Sequence, residues 1–240
     1  DETVSLEKIE KALQRAGEIS APVALVVPEG IFEKYQGREE TENYTLIRED
    51  VIKAIINALQ GDETVVCSTG KIGREFEEQN GIAGKKIGSY LLSPGAMGHA
   101  GHIAIGIENM EKKKIIFLDG DGAMLMHLGA LPLMARMAGN DFIHVLINNG
   151  SHESVGGQPT GAFLADCCGI ANACGYKKTI CISNETDLKK WLAEGLFIGE
   201  KQFVEIRTNR FSRPGLGRPG GEPAEWKNEF MSSLNKKNAR

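Results

Sequence analysis

The sequence predicts an α/β fold in which a mostly parallel sheet carries helices on both faces. The chain has 240 residues, of which 41% are hydrophobic, and this is enough for one such domain and a smaller appendage. From residue 46 onward, helical segments alternate with short apolar runs rich in β-branched residues. This alternation is typical of parallel sheets, because a helix must return the chain to the start of each next strand.

The first segment of the chain differs from the rest. Residues 5–16 predict an amphipathic helix, and residues 21–28 predict a buried strand that ends at Pro28. One helix cannot cover both faces of a strand, so we expect residues 1–40 to hold the tail of another α/β domain and a linker. The polar segment 29–45 suits an exposed connector, and the main domain is predicted over residues 41–240.

The main domain is predicted to alternate between helix and strand along its length. The predicted strands are Thr64–Ser68, Lys114–Leu118, Phe142–Ile147, Thr179–Ile182 and Phe203–Arg207. The predicted helices span about 47–60, 72–79, 95–110, the segment after Leu118 up to about 138, 161–174 and 186–194. In parallel sheets, ligands bind at the carboxyl ends of the strands, so the turns at those ends are the candidate site.

Composition favours small-molecule chemistry. The net charge is −4 and the chain has no long basic run, so nothing indicates binding to nucleic acid or to an anionic membrane. No apolar stretch approaches the roughly 20 residues of a membrane span. The start at Asp1 has no leader pattern, and the five cysteines suit reduced thiols. A cytoplasmic location is therefore expected.

Polar turns follow two successive predicted strands. Gly120-Asp121-Gly122 comes after the first, and Asn148-Asn149-Gly150 comes after the second. If the strands are neighbours, about 4.8 Å apart, a carboxylate and an amide oxygen emerge side by side. Such hard oxygen donors suit Mg²⁺, which completes its coordination with phosphate oxygens and water. The turns therefore predict a site for Mg²⁺ and a diphosphate, and either asparagine could take part.

These turns resemble a motif of the thiamine-diphosphate-dependent 2-oxo-acid decarboxylases. The upstream segment from Ser93 to Ala100 resembles the glycine-rich segment that this family places beside its cofactor. The stretch from Asn148 to Thr160 and the tail from Arg210 to Pro219 are most similar to phosphonopyruvate decarboxylases, with sulfopyruvate decarboxylases close behind. The resemblance implies a cofactor, thiamine diphosphate, and Mg²⁺.

The resemblance assigns roles to particular residues of the predicted site. It implies metal ligands from the Asp121 carboxylate, the Asn149 side chain and the Ser151 carbonyl. The implied cofactor-binding residues are Thr69, Gly70, Gly95, Ala96, Met97, Gly120, Asp121, Gly122, Ala123, Asn149 and Ser151. His152 and Glu153 follow the metal turn and are the candidate catalytic residues. A phosphonate or sulfonate substrate needs cationic donors, for which Arg210, Arg213 and Arg218 are candidates.

The family also needs a glutamate from a separate pyrimidine-binding domain, and no segment of this sequence matches it. We therefore expect residues 1–40 to end such a domain, and the rest of it to come from a longer chain or a second subunit in a homo- or hetero-oligomer. Without that domain the chain should be nearly inactive. Three alternatives remain: a sulfopyruvate decarboxylase, an acetolactate-synthase-like enzyme with the same cofactor, and a non-catalytic phosphate-binding module. The i, i+3 spacing of His99 and His102 is also compatible with zinc, but no third ligand is in view.

Overall fold

A computed structural model describes residues 2–28, 30–32, 44–84, 87, 89–111 and 113–237. The chain divides into two units, Asp1–Thr41 and Glu42–Arg240, and most of the predicted connector lies outside the described residues. None of the described helices combines the length and apolar character needed to cross a membrane.

The first unit contains helix α1, Glu2–Ile19, but not the strand predicted after it. Residues 22–28 form neither helix nor strand, and Val26 is 91% exposed. The predicted buried strand is therefore wrong for this chain, because a strand needs a neighbour for its backbone hydrogen bonds and the described part of this unit offers none. That this unit belongs to a pyrimidine-binding domain stays a prediction.

The second unit is built on a six-stranded sheet in the order β2-β1-β3-β4-β8-β7, with every pairing parallel. Its strands are β1 Thr64–Cys67, β2 Ser89–Leu92, β3 Ile115–Gly120, β4 Phe142–Asn148, β7 Lys178–Ile182 and β8 Gln202–Arg207. A short antiparallel pair, β5 Ser151–His152 and β6 Gln158–Pro159, stands apart. The predicted fold class is confirmed, although the sequence analysis missed β2.

Helices cover both faces of the sheet. They are α2 Arg48–Ala58, α3 Lys71–Ile82, α4 Ala100–Glu111, α5 Asp121–Met126, α6 Ala130–Met137, α7 Cys167–Ala173, α8 Glu185–Lys190 and α9 Pro223–Lys237. The one helix predicted between β3 and β4 is in fact two, α5 and α6. Pro132 explains the second start, because proline fits the first turn of a helix but not its interior. Helix α9 was not predicted.

The strands are apolar on both sides because each side has its own core. Along β1, Val65 and Cys67 belong to the cluster under α2 and α3, whereas Val66 belongs to the cluster under α4 and α6. Successive strand residues point to opposite faces, so a strand buried on both faces is apolar throughout.

The order of the strands creates a crevice between β1 and β3. From β1 the chain continues to β2 on one side, and from there it crosses to β3 on the other side of β1. Connections that diverge in this way leave an opening at the carboxyl ends of the two strands, where open α/β sheets bind ligands. The turns that follow β1, β3 and β4 all lie at this edge of the sheet.

Candidate functional site

A cavity of about 510 Å³ opens at this edge of the sheet. Of the residues predicted from the sequence, the cavity lining includes Thr69, Gly70, Gly95, Met97, Gly120, Asp121, Gly122, Ala123, Asn149, Ser151, His152, Glu153 and Arg218. Ala96, Arg210 and Arg213 are outside the lining. The fold thus brings together turns that are distant in sequence, as the motif analysis predicts.

Asp121 is the buried carboxylate of the cavity. It is the first residue of α5 and only 3% exposed, and its Oδ2 accepts a hydrogen bond from the Thr160 hydroxyl. Burial raises the pKa of the Asp121 carboxyl, and the Thr160 hydroxyl and nearby backbone amides offset this only in part. A buried anion that lacks a cation is costly, so this position suits a positive ligand.

The structure separates the roles of the two adjacent asparagines. The Asn148 side chain is fully buried, where its Nδ2 donates to Glu205 Oε1 at 2.7 Å and its Oδ1 accepts from the Gly150 amide at 3.0 Å. Asn149 is the one that lines the cavity with Asp121. Asn149, and not Asn148, therefore lies at the cavity, and its role as a metal ligand stays a prediction.

Glu153 orients Asn149. Its Oε2 accepts from Asn149 Nδ2 at 3.1 Å, while Asn149 Oδ1 accepts from the Ser151 amide at 3.1 Å. These two hydrogen bonds determine which end of the Asn149 side-chain amide is oxygen and which is nitrogen. Because Glu153 also accepts from Arg48 at 2.5 Å and from Lys71 at 2.8 Å, both its oxygens are engaged. Here it is a positioning residue, and its predicted catalytic role stays a prediction.

Behind Glu153 lies a buried ion pair that the sequence analysis did not identify. Arg48 is 3% exposed and donates to both oxygens of Glu75 at 2.8 and 2.7 Å. Burial raises the pKa of Glu75, and the hydrogen bond to Arg48 counteracts it. The third hydrogen-bonding nitrogen of Arg48 reaches Glu153, so one guanidinium ties helices α2 and α3 to the turn after β4.

His152 lies directly over Gly122. A Cβ atom on Gly122 would be 2.6 Å from His152 Cε1 and 2.7 Å from its Nδ1. Real Cβ atoms do not approach other atoms so closely, so a glycine is required here if the ring is to keep its place. No described residue donates to or accepts from the His152 ring, which leaves its nitrogens available to a ligand.

The cavity also contains polar groups without protein partners. The hydroxyls of Ser68 and Ser93 are buried and have no hydrogen-bond partner among the described residues, and both residues line the cavity. Gly70 and Gly95 beside them have φ of 104° and 70°, which favours glycine. Buried polar groups normally have partners, so these groups fit an oxygen-rich ligand such as a diphosphate.

Asp119 supports the same turn from inside the core. Its Oδ1 accepts from the Gly120 amide at 2.9 Å, and its Oδ2 is 3.2 Å from His144 Nε2. His144 Nδ1 is in turn 3.4 Å from the Tyr176 hydroxyl. These buried side chains come from β3, β4 and the segment before β7, and they fix the backbone that presents Asp121.

The three arginines predicted to bind the substrate do not all lie at the cavity. Arg213 pairs with Glu49 at 2.9 Å and also with Glu78, and neither Arg213 nor Arg210 lines the cavity. Arg218 does line it. A sequence pattern of arginines in a Gly/Pro-rich loop could not show which of them turn inward, because acidic partners distant in the chain influence this.

The histidine pair considered for zinc gains a third member. The His127 ring centroid lies 4.8 Å from that of His99 and 5.0 Å from that of His102. Nevertheless, no group of three or more His, Cys, Asp or Glu side chains among the described residues could hold a metal ion. A cation at Asp121 would therefore need amide and carbonyl oxygens as well as oxygens from a ligand, which is the donor set of Asp121, Asn149, Ser151 and a diphosphate.

Solved structures share this architecture. Benzoylformate decarboxylase from Polynucleobacter necessarius superposes with a TM-score of 0.53 over 72% of this chain and 35% of its own, at 14% identity. A protein from Mycobacterium smegmatis, described as a thiamin diphosphate-dependent enzyme, gives 0.56 over 69% of this chain and 32% of its own, at 18% identity. At such identities the likeness establishes the class of fold.

Sequence comparison identifies the family. The thiamine pyrophosphate enzyme C-terminal TPP binding domain matches residues 80–207, which is more than half of the chain. The chain therefore belongs to the thiamine pyrophosphate enzyme family, as the motif resemblance predicts.

Named relatives fall into two groups. Phosphonopyruvate decarboxylase from Streptomyces viridochromogenes is 32% identical over 75% of this chain and 44% of its own length. The sulfopyruvate decarboxylase beta subunit of Methanococcus maripaludis is 29% identical over 80% of this chain and 99% of its own. The chain thus spans less than half the length of the phosphonopyruvate decarboxylases that it matches.

Replacement of Asp121 by asparagine is expected to stabilise the ligand-free protein. It removes a buried charge whose pKa is raised, so the gain is present at neutral pH and shrinks as pH falls and the wild-type carboxyl takes up its proton. A gain of about 1 kcal/mol corresponds to a rise in Tm of roughly 2–4 °C.

The Asp121→Asn variant should also lose the stabilisation by Mg²⁺ and thiamine diphosphate. Thermal unfolding with and without these ligands measures both effects, with exposed Asp141→Asn as the control. A variant that still responds to the ligands contradicts the assignment.

Gly122→Ala is expected to displace the His152 ring. A shift of about 1 Å in a site can lower activity roughly a hundredfold. Activity of the complete enzyme and affinity for thiamine diphosphate provide the measurement. Gly129→Ala is the matched control, because a Cβ atom there meets nothing within 4 Å. Equal behaviour of the two variants would show that the close approach is unimportant.

Arg48→Met is expected to destabilise the protein by about 3–5 kcal/mol, because it leaves Glu75 buried without its cation. Urea denaturation measures the loss. Arg213→Met removes ion pairs of a partly exposed arginine and should change the unfolding midpoint little. If the two variants unfold at the same urea concentration, the buried pair does not stabilise the fold in this way.

Proposed function

We propose that this chain is the diphosphate- and magnesium-binding part of a decarboxylase that acts on phosphonopyruvate to give phosphonoacetaldehyde and CO₂. The observation that carries the proposal is the cavity at the crevice between β1 and β3. There Asp121 and Asn149 lie beside buried hydroxyls that have no partner among the described residues. The lining also has more basic than acidic side chains, and we call this its cationic wall. The decarboxylase class is supported by the relatives, which are named for this reaction on two closely related anionic 2-oxo acids.

Thiamine diphosphate, when bound, supplies the electron sink that allows a 2-oxo acid to lose CO₂. The chain's own groups have simpler tasks. Asp121, Asn149 and the Ser151 carbonyl would hold Mg²⁺, while Ser68, Ser93 and the amides near Gly70 would bind diphosphate oxygens. His152, with no described hydrogen-bond partner on its ring, can give or take a proton at Nε2.

The proposed enzyme needs a pyrimidine-binding domain to complete the site. We expect that domain to supply the activating glutamate, either from a longer chain or from a second subunit. The alignment with 99% of a sulfopyruvate decarboxylase beta subunit supports the two-subunit arrangement, whereas the 44% coverage of phosphonopyruvate decarboxylase supports the single chain. An oligomer in the cytoplasm remains our prediction.

Sulfopyruvate decarboxylation is the second candidate. Identities to beta subunits of that enzyme reach 33% over 55% of the chain and 34% over 47%, which is similar to the 32% for phosphonopyruvate decarboxylase. Both substrates are 2-oxo acids with a second anionic group, so the same cationic wall suits either.

The first test is aldehyde release by the full-length gene product with Mg²⁺ and thiamine diphosphate. Phosphonopyruvate, sulfopyruvate and pyruvate are compared, with Asp121→Ala as the control. We expect turnover of phosphonopyruvate at least about tenfold above that of pyruvate, because a hydrogen bond to the charged second group contributes about 1.5–3 kcal/mol. We also expect preference over sulfopyruvate, and no turnover in the control.

Other outcomes of this assay separate the alternatives. Preference for sulfopyruvate would keep the reaction and change the substrate. Condensation with a second 2-oxo acid in place of aldehyde release would indicate a synthase. Absence of turnover, together with binding of ADP in preference to thiamine diphosphate, would indicate a non-catalytic phosphate-binding module.

A further inference from the structure

The cavity wall carries more positive than negative charge. Its lining contains four permanent cations, Arg48, Lys71, Arg74 and Arg218, and two acids, Asp121 and Glu153. An excess of this kind attracts anions. Which anion it serves depends on how many of the four cations are already paired within the protein.

Two of the cations are occupied by protein partners. Arg48 donates through three nitrogens to Glu75 and Glu153, and Lys71 pairs with Glu153 at 2.8 Å. Arg74 differs from both, because it lines the cavity without a hydrogen bond or ion pair to any described residue. Arg218 also lines the cavity but is exposed and lies in a Gly/Pro-rich loop.

Arg74 is held by a rigid element. It lies in the first turns of α3, between Ile72 and Phe76, which are 5% and 0% exposed and belong to the core. It stands three residues after Lys71, so the two cations share one face of the helix. Groups on packed helices are placed more accurately than groups on loops, which makes Arg74 the best-fixed unpaired cation of the cavity.

The proposed cofactor does not account for this charge. The positive thiazolium ring and Mg²⁺ together nearly balance the negative charges of the diphosphate. The positive excess of the lining, in which Asp121 and Glu153 are already counted, therefore remains when the cofactor is bound, and Arg74 contributes to it. A 2-oxo acid with a second anionic group would supply the missing negative charge in the same cavity.

We infer that Arg74 binds the phosphonate or sulfonate group of the substrate and thereby selects 2-oxo acids that carry such a group. The inference rests on the proposed function and names the residue that sets its substrate class. A guanidinium is suited to this task because its planar set of donors matches two oxygens of a tetrahedral anion at once.

The test uses the full-length holoenzyme and phosphonoacetate, which has the phosphonate and carboxylate but no keto group to react. Isothermal titration compares wild type with Arg74→Gln, with Arg74→Lys, and with Arg136→Gln, an exposed arginine outside the cavity. We expect Arg74→Gln to weaken phosphonoacetate binding by at least about tenfold and to leave thiamine diphosphate affinity unchanged. Arg74→Lys should keep part of the affinity for phosphonoacetate, and the unchanged thiamine diphosphate affinity of Arg74→Gln shows that this variant is folded.

Steady-state kinetics give a second readout. With phosphonopyruvate, Arg74→Gln should raise KM more than it lowers kcat, because the anionic group makes the same contact in ground state and transition state. A loss of thiamine diphosphate affinity equal to the loss of phosphonoacetate affinity would assign Arg74 to the cofactor and overturn the inference. The inference would also be overturned if Arg74→Gln bound phosphonoacetate as tightly as wild type, or if wild type did not bind phosphonoacetate at all.

The proposed function and the role of Arg74 can be contradicted separately. Wild-type enzyme that releases no aldehyde from any 2-oxo acid contradicts the proposed function, whatever Arg74 binds. If wild type and Arg74→Gln turn over phosphonopyruvate equally well, the proposed function stands and only the role of Arg74 is contradicted.

Discussion

The parallel pairing of β3 with β1 on one side and β4 on the other is the constraint on which the candidate site depends. Leu118 pairs with Cys67, and two residues later Gly120 pairs with Ile147. This register makes the three strands end at one edge of the sheet. Because the chain goes from β1 to β2 on one side and then crosses from β2 to β3 on the other side of β1, the edge opens into a crevice. Asp121 and Asn149 therefore face one cavity, although they belong to different turns.

The cavity is kept in shape by charges behind its wall. Arg48 joins α2, α3 and the turn after β4 through Glu75 and Glu153, and Asp119 fixes the turn after β3. A buried ion pair contributes little net stability compared with an apolar pair, but it specifies one geometry. The Asp121 charge opposes folding because it is buried without a cation, which is the trade-off expected where a site is prepared for a ligand.

The family comparison and the donor groups of the cavity agree with a thiamine diphosphate site, but they do not determine the proposed substrate. Phosphonopyruvate and sulfopyruvate decarboxylases are similar to this chain at nearly equal identity, so overall similarity does not separate them. The groups that discriminate between substrates are few, and a cation fixed on α3 can alter selectivity without altering the fold. Specificity is a difference between affinities, and a single unpaired guanidinium is sufficient to create one.

The sequence by itself determined the α/β class, the turns of Asp121 and Asn149, and the family. It could do so because hydrophobic periodicity and turn chemistry are properties of neighbouring residues. Only the tertiary structure decided that β2 joins the sheet, that residues 22–28 remain unpaired, and that Asn149, not Asn148, reaches the cavity. It also showed that Arg213 pairs with Glu49 and Glu78, whereas Arg74 has no hydrogen bond or ion pair with any described residue. These outcomes depend on partners distant in the chain, and a local pattern carries no information about which distant group will lie within hydrogen-bonding distance.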